Sequence, residues 1–328
     1  MRRNTKLLLL DKNHVESLLT PEAVLEAVRD AFKLHSLGEG RVFPVVREKL
    51  PSGGVFGIKS GDIVSQDVLG FKAAGFWATN RALGGEPHQA TILLFDPYTG
   101  RPLCMIDGNI VTTLRTGAAG GLGLLQFARS DSTRLCVFGT GVQAQIQTQF
   151  ALRLLPGLRS LQYVSINDEP DTRFEAAIQP EAAAIGCSIR HVTDRDAAVA
   201  GSDIVITATP GGGALFSRDA VQPGTHLNCV GADTEGKREL PAGLLKHVRL
   251  FADDLIQARS IGESQWARDV PCTTLGDLLT GKMDFQRQAD DITVFDMTGI
   301  ALQDLTVAHL LRRQSEATGI GTVIDWPW

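Results

Sequence analysis

The sequence predicts a two-part α/β protein: a doubly wound parallel sheet beside an α+β part whose sheet is mostly antiparallel. From Leu135 onward, apolar strands alternate with helical stretches, the rhythm of a parallel sheet covered on both faces. Between Phe43 and Ile106, short β-like runs are broken by turn signals, the texture of an antiparallel sheet. A glycine-rich turn at Gly139 joins the first strand of the later part to the helix that follows it.

The bulk properties narrow the class. The chain has 328 residues, 43% hydrophobic and 21% charged, enough for two domains and a substantial core. A formal charge of −5 with no basic block argues against nucleic acid or an anionic membrane as partner. The five cysteines are odd in number, widely spaced and form no CxxC pair. That pattern fits reduced thiols in the cytoplasm better than a disulfide framework or a zinc site, so no metal is expected. In MRRNTKLLLLDKN the apolar run is only Leu7 to Leu10, short of the ~7–15 residues of a leader's core. No segment approaches the ~18 apolar residues of a membrane span, so a soluble cytoplasmic protein is expected.

The first helix is expected in TPEAVLEAVRDAFKLHSLG. Thr20 is its N-cap, Pro21 takes the first helical position, and Glu22 suits the positive end of the dipole. Ala23 at the third position leaves no reciprocal capping box. Val24, Val28 and Phe32 line one face, and Gly38 ends the run. VFGIKSG, VLGFKAAGFW and ATILLFDPYTGRPLCMI then read as strands, with DPYTG a turn. After Asn109, VTTLRTGAAGGLGLLQFA reads as a helix whose small residues allow close packing. RLCVFGTG is a strand entering a glycine turn, VQAQIQTQFALRLL the following helix, and LQYVSIND the next strand. SDIVITATP, THLNCVGAD, VRLFADD and ITVFDMTG supply further strands, and IALQDLTVAHLLRRQ a final helix with an apolar face.

Gly139-Thr140-Gly141-Val142-Gln143-Ala144 fits GxGxxA in the right context, between an apolar strand and a helix. The first glycine permits the turn, the second lets backbone approach a pyrophosphate, and Ala144 lets helix and strand pack closely. The bland alternative is a structural glycine turn. This makes the later part a Rossmann-type dinucleotide domain. At the tip of the second strand, Asp168 favours the ribose hydroxyl of NAD, whereas Asn167 accepts NAD or NADP and Arg173 is close enough in sequence to reach round. Ligand-facing candidates beyond the strand ends are Thr207, Ala208 and Thr209, then Val230, Gly231 and Asp233. A helix cap is the alternative for Asp233. Because the motif begins at Gly139, the preceding part has substrate recognition as its natural job.

Two lysines stand out. In a hairpin of VFGIKSG and VLGFKAAGFW, Lys59 faces Lys72 if the simplest register holds, and like charges so placed repel. Glycines beside both leave room for an anion between them. A solvated strand face is the alternative for either.

FPVVREKL, GFKAAG, TTLRTGAAGGLGL, GTGVQAQ, TATP and NCVGADTEGKREL occur in an order that resembles the ornithine cyclodeaminase/μ-crystallin family over essentially the whole chain. The resemblance implies NAD(P)-dependent chemistry on small imino or amino acids and a homodimer formed through the first domain. It implies a substrate and dimerisation domain of residues 1–118 joined by a C-terminal helix 303–328, and a Rossmann domain of 119–302. It makes Arg47 and Arg115 the clamp on the substrate carboxylate, Lys72 the catalytic lysine, Asp233 an acid/base, and Thr116 and Gly299 cofactor contacts. An ion pair with Glu48 or another acid is the alternative for the arginines.

The chain departs from the ornithine enzymes where they carry an acid and a Met before the lysine. Gly57 and Lys59 stand there, Ala90 replaces a threonine, and Phe295 to Thr298 lack a Lys-Ser pair before Gly299. Within the family it most resembles iminosuccinate reductases, through Phe43 to Glu48, His88 to Arg101 and Ser260 to Gln265. The expected activity is therefore reduction of iminosuccinate to L-aspartate, with Lys59 and His88 on a second carboxylate; His88 as a structural residue is the alternative. Ornithine cyclodeamination, reduction of pyrroline-2-carboxylate, and non-catalytic binding in the manner of μ-crystallin remain the competing readings.

Overall fold

The structure, a computed structural model, describes residues 5–327. Met1 to Asn4, the start of the segment weighed above as a leader, and Trp328, the end of the expected C-terminal helix, lie outside them. The chain divides into two compact units: one takes the chain up to Arg115 and again from Ile300, the other is Thr116–Gly299. The expected boundaries lay a few residues later at each crossing.

The first unit opens with strand β1 (Thr5–Leu10), formed by the leucine run, and helix α1 (Lys12–Leu18), capped by Asp11 in a reciprocal box with His14. Helix α2 (Pro21–Leu37) has Thr20 accepting from the Ala23 amide at 3.2 Å and ends at Gly38 in the left-handed region. Strands β2 (Gly40–Val42), β3 (Val46–Lys49), β4 (Val55–Ile63), β5 (Val68–Phe76), β6 (His88–Phe95) and β7 (Pro102–Asp107) follow. Helix α3 (Gly108–Phe127) carries the chain from one unit to the next.

In the second unit come β8 (Arg134–Phe138), α4 (Val142–Leu154), β9 (Ser160–Val164), α5 (Thr172–Ile185), β10 (Ser188–His191), α6 (Arg195–Ala200), β11 (Ile204–Thr207) and β12 (His226–Cys229). Then come β13 (Arg249–Ala252), α7 (Leu255–Ile261), β14 (Cys272–Thr274), α8 (Leu275–Leu279) and β15 (Thr293–Asp296). The chain returns to the first unit with α9 (Ala301–Thr318) and β16 (Thr322–Trp326). The segment expected as one helix to residue 328 thus breaks at Gly319, a left-handed C-cap, and its remainder pairs antiparallel with β1.

The first sheet runs β16-β1-β7-β6-β5-β4-β2, with β3 also on β4; among the described residues β1 and β7 pair in parallel and its other pairs are antiparallel. The second runs β10-β9-β8-β11-β12-β15-β13-β14, and every pair in it is parallel. Its chain moves outward from β8 to β10, then crosses back to β11. That reversal is where such Rossmann-type sheets bind ligands, beyond the carboxyl ends of their strands. Its central strands β11, β12 and β15 are buried at every position, and Phe127 of α3 stacks on Phe251 at 4.0 Å between ring centres. No helix among the described residues is long and apolar enough to cross a membrane.

In the first unit α9 lies across β4, β5 and β6 and packs against α2. The approach depends on missing side chains. A Cβ on Gly70 would lie 2.6 Å from the Leu93 carbonyl oxygen and 2.9 Å from a Leu305 methyl. Gly70→Ala is therefore expected to lower the unfolding free energy by about 1–3 kcal/mol, the range for overpacking, as read by chemical denaturation.

Candidate active site

Strand pairing decides which side chains of the first unit share a face. Residues directly opposite in antiparallel strands point the same way, as do residues two apart along a strand. Lys59 is opposite Lys72, which is opposite Ile92. One step along, Arg47, Gly57, Ala74 and Ala90 form the neighbouring row. His88 lies two residues from Ala90. Arg47, Lys59, Lys72 and His88 therefore occupy one face, the face that α9 covers at Gly70. The row of small residues beside the two lysines leaves them a shallow floor rather than a wall.

Lys72 is buried, 4% exposed. Its Nζ donates to Asp304 Oδ1 at 2.8 Å and to Thr112 Oγ1 at 3.1 Å. Thr112 donates its own hydroxyl to the Gly108 carbonyl at 2.7 Å, so a lone pair is held towards the lysine. Arg115, one turn along α3 and 7% exposed, donates through Nη1 to Gln303 Oε1 at 2.9 Å. Its Nε lies 3.2 Å from Asp304 Oδ1. Two cations from different elements thus converge on one acid of α9.

Burial, then the charge of Arg115, pulls Lys72 down to about 7, against the opposing pull of Asp304; Lys59 adds to the lowering. Burial alone would raise the Asp304 carboxyl, but Lys72 and then Arg115 hold it below its ordinary value. An amine that exchanges its proton near neutrality is suited to acid/base work. Burial, then the charge of Lys72, also lowers the His88 imidazole. His88 Nδ1 lies 3.2 Å from Asn109 Oδ1. In that pairing Nδ1 donates and Nε2 is an acceptor, which suits a donor on a ligand rather than a carboxylate oxygen. Arg47 lies on the exposed strand β3, outside the buried cluster.

Asp304 is not among the residues that the sequence singles out. A signal existed: Ala301, Asp304, Leu305 and Ala308 share a helical face by their spacing, so an acid stood within the apolar stripe.

The second unit holds the expected dinucleotide residues. Gly139 has φ +103, and a Cβ there would lie 2.5 Å from the Ala208 carbonyl oxygen. Gly141, which precedes α4, has open space where a Cβ would go, and no side chain caps the helix. The buried Gln143 Oε1 has no hydrogen-bond partner among the described residues. Val142 is exposed and Ala144 fully buried. An uncapped helix start, open space at the second glycine and an orphaned amide oxygen fit an anionic, hydrogen-bonding cofactor.

The Thr116 carbonyl accepts from Gln147 of α4 at 2.7 Å. Strand β9 stops at Val164, so Asn167 and Asp168 sit in an exposed turn rather than on the strand tip. Asp168, at φ 55, meets Arg195 at 3.3 Å, a basic neighbour the sequence reading had not picked out. Thr207 is fully buried and gives its hydroxyl to Glu239, and Thr209 does likewise. Val230 is buried, and its amide donates to the Thr207 carbonyl. The Gly299 amide donates to Asp253. Asp233 caps no helix. It pairs with Lys237 at 2.7 Å and accepts from the Thr234 hydroxyl at 3.1 Å. No cluster of metal ligands occurs among the described residues.

The unfolded chain keeps a proton on Lys72 up to ~10, the folded chain only up to about 7, so folding releases a proton between those values and this contribution to stability rises with pH there. Asp304→Asn leaves two buried cations without their anion. It should cost about 3–5 kcal/mol near pH 6, by analogy with broken buried pairs, and less near pH 9, where Lys72 is neutral. Denaturant melts at the two pH values check this.

The chain matches the sequence model of the ornithine cyclodeaminase/mu-crystallin family over residues 5–319. It is 32% identical to the iminosuccinate reductase of Paracoccus denitrificans (strain Pd 1222), over 97% of this chain and 100% of that protein. The crystal structure of the Paracoccus denitrificans iminosuccinate reductase in complex with NAD+ superposes with a TM-score of 0.87 at 30% identity, covering 98% of this chain and 100% of that one. An archaeal alanine dehydrogenase dimer with bound NAD gives a TM-score of 0.87 at 29% identity, covering 98% and 99%. The chain belongs to the ornithine cyclodeaminase/mu-crystallin family.

Proposed function

We propose that the protein is an NAD-dependent imino-acid reductase that converts iminosuccinate to L-aspartate. One observation carries the reading: Lys72, buried yet poised near neutrality, faces Lys59 across β4 and β5 and shares Asp304 with Arg115. Like charges directly opposite are costly, and a ligand with two carboxylates lying on that face relieves the cost. Arg115, pre-oriented by Gln303, holds the carboxylate beside the imine carbon, with Arg47 closing on it from β3. Lys59 holds the distal carboxylate. Lys72 spends two of its three N–H donors on Asp304 and Thr112, and its remaining donor serves the imine nitrogen.

Bound NADH supplies the hydride that reduces the C=N carbon. The accompanying proton reaches nitrogen from Lys72 in its ammonium form, and Asp233 is the second proton carrier. Residues 139–143 hold the cofactor's phosphates, the turn of Asn167 and Asp168 its ribose, with Thr116, the ends of β11 and β12 and Gly299 completing the contacts. The NAD bound by the solved relatives supports the cofactor, and Asp168 favours NAD over NADP.

We further propose a homodimer. The sheet face opposite the site carries Phe71, Leu93 and Met105 in one row, with Met105 45% exposed. A face of that composition is what a second copy would cover.

The purified protein, given NADH, oxaloacetate and ammonium, should oxidise NADH and form L-aspartate. Its kcat/KM should fall as pH rises through about 7, where Lys72 loses its proton. Proline and ammonia from ornithine, with no net change in NADH, would overturn the reading in favour of cyclodeamination. Lys59→Met should raise KM for the dicarboxylate about tenfold, the loss of one charge-assisted hydrogen bond, and leave a monocarboxylate imine unaffected. An unchanged dicarboxylate KM would remove Lys59 from the site.

A further inference from the structure

Among the buried carboxylates of the second unit, three that the proposed chemistry does not use form a connected series: Glu239, Glu263 and Asp296, each at most 1% exposed. Among the described residues, none forms an ion pair with a lysine or arginine. Their recorded partners are backbone amides and hydroxyls, and they form a sequence. Asp296, the last residue of β15, accepts from the Glu263 amide at 3.0 Å and from the Ser264 amide and hydroxyl at 2.8 and 2.7 Å. Glu263 Oε1 accepts from the amides of Glu239 and Leu240, at 2.5 and 3.2 Å. Glu239 in turn takes four hydrogen bonds. Oε1 accepts from the Thr209 amide and hydroxyl, both at 2.7 Å, and Oε2 from the Thr207 hydroxyl at 2.7 Å and the Gly231 amide at 2.8 Å.

Glu239 therefore ties together the loops that leave β11 and β12, at the carboxyl ends where doubly wound sheets bind their ligands. Two steric observations tighten the argument. A Cβ on Gly231 would lie 2.5 Å from Glu239 Oε1 and 2.3 Å from the Thr209 carbonyl oxygen, so the close approach needs a glycine. The same β11 loop meets the glycine turn, since the Ala208 carbonyl oxygen stands 2.5 Å from where a Gly139 Cβ would be. The relay thus runs from a central strand, through Glu263, to the backbone that abuts the phosphate-binding turn.

Four converging donors demand two oxygens with their lone pairs. A glutamine of the same shape presents an NH2 to one pair of donors, whichever way it is turned. Burial raises the Glu239 carboxyl, and the hydrogen bonds from Thr209, Thr207 and Gly231 oppose that rise. A buried acid is an expensive way merely to fill space, whereas its directional bonds hold two loops in one geometry.

The geometry points to Glu239 as a positioning residue for the dinucleotide, held in place by Glu263 and Asp296. This inference rests on the reading that the second unit binds NADH. The test is NADH affinity of the full chain by fluorescence titration, with KM for NADH and for the imino acid measured separately. Glu239→Gln should weaken NADH binding and raise its KM about tenfold, the scale of one unsatisfied buried donor, while KM for the imino acid stays within about twofold.

Should Glu239→Gln fail to fold, Thr207→Val carries the test. That residue is fully buried, gives up only its hydroxyl, and should weaken NADH about threefold. Glu263→Gln keeps the oxygen that accepts both amides and should bind NADH as the unaltered protein does. Equal NADH affinity in Glu239→Gln, or a parallel rise in both KM values, overturns the positioning role. If the unaltered protein itself does not bind NADH, the dinucleotide reading fails and this inference falls with it.

Discussion

The ammonium of Lys72 leaves water only where the carboxylate of Asp304 meets it, and much of the first unit is arranged around that meeting. An ammonium taken into a protein interior alone costs several kcal/mol. Here the acid arrives on α9, 232 residues later in the chain, and it also answers Arg115. To bring the helix so close, the sheet gives up side chains beneath it at Gly70 and Gly40. The balance is deliberately incomplete, since one acid serves two cations. Burial first, and then the charge of Arg115, keeps Lys72 near the middle of its titration instead of locked as a permanent ion pair.

The second unit solves the opposite problem. The buried Asp203 is answered by Arg129 and Arg134, but at Glu239, Glu263 and Asp296 amides and hydroxyls supply the compensation. Without full positive charges nearby, burial dominates: Asp296 is pushed up to about 7, and Glu263, with Asp296 as a further cause, up to about 8. Both acids bind protons more readily folded than unfolded, so their contribution to stability is largest at low pH and declines as pH rises from ~4 through those values. Lys72 contributes in the other direction at the alkaline end. Lys72 and this pair of acids therefore lean opposite ways on the pH axis, each because of what the buried charge lacks.

Local chemistry was legible in the sequence. The caps of α2 at Thr20 and Gly38, the glycine turn before α4, and the register that sets Lys59 against Lys72 all follow from short-range rules about turns, dipoles and pleats. What escaped depends on partners far along the chain. The Leu7 to Leu10 run is a strand because β7 and β16 flank it, and neither neighbour is visible from the run itself. Thr322 to Trp326 is a strand for the same reason. Asp304 looked like an ordinary acid in an amphipathic helix; its burial makes sense only once Lys72 and Arg115 are known to reach it. Glu239 and Glu263 were hidden more deeply, because backbone amides supply half of the bonds to the first and both of those to the second, and backbone carries no letter in the sequence.

The pairing of β1 with β16 has a consequence for how the chain is made. Residues that begin the first sheet wait for almost the last ones before that edge is closed and before α9 covers Lys72. The second unit, by contrast, is one continuous stretch whose strands find neighbours within it. During synthesis from the N-terminus, the second unit has all its sequence while the first still lacks its final helix and strand. Contacts of such long sequence separation form late and slowly. For that interval the lysine-bearing face and the β1 edge stand open, and the half-made first unit is the part of the nascent protein most exposed to mispairing.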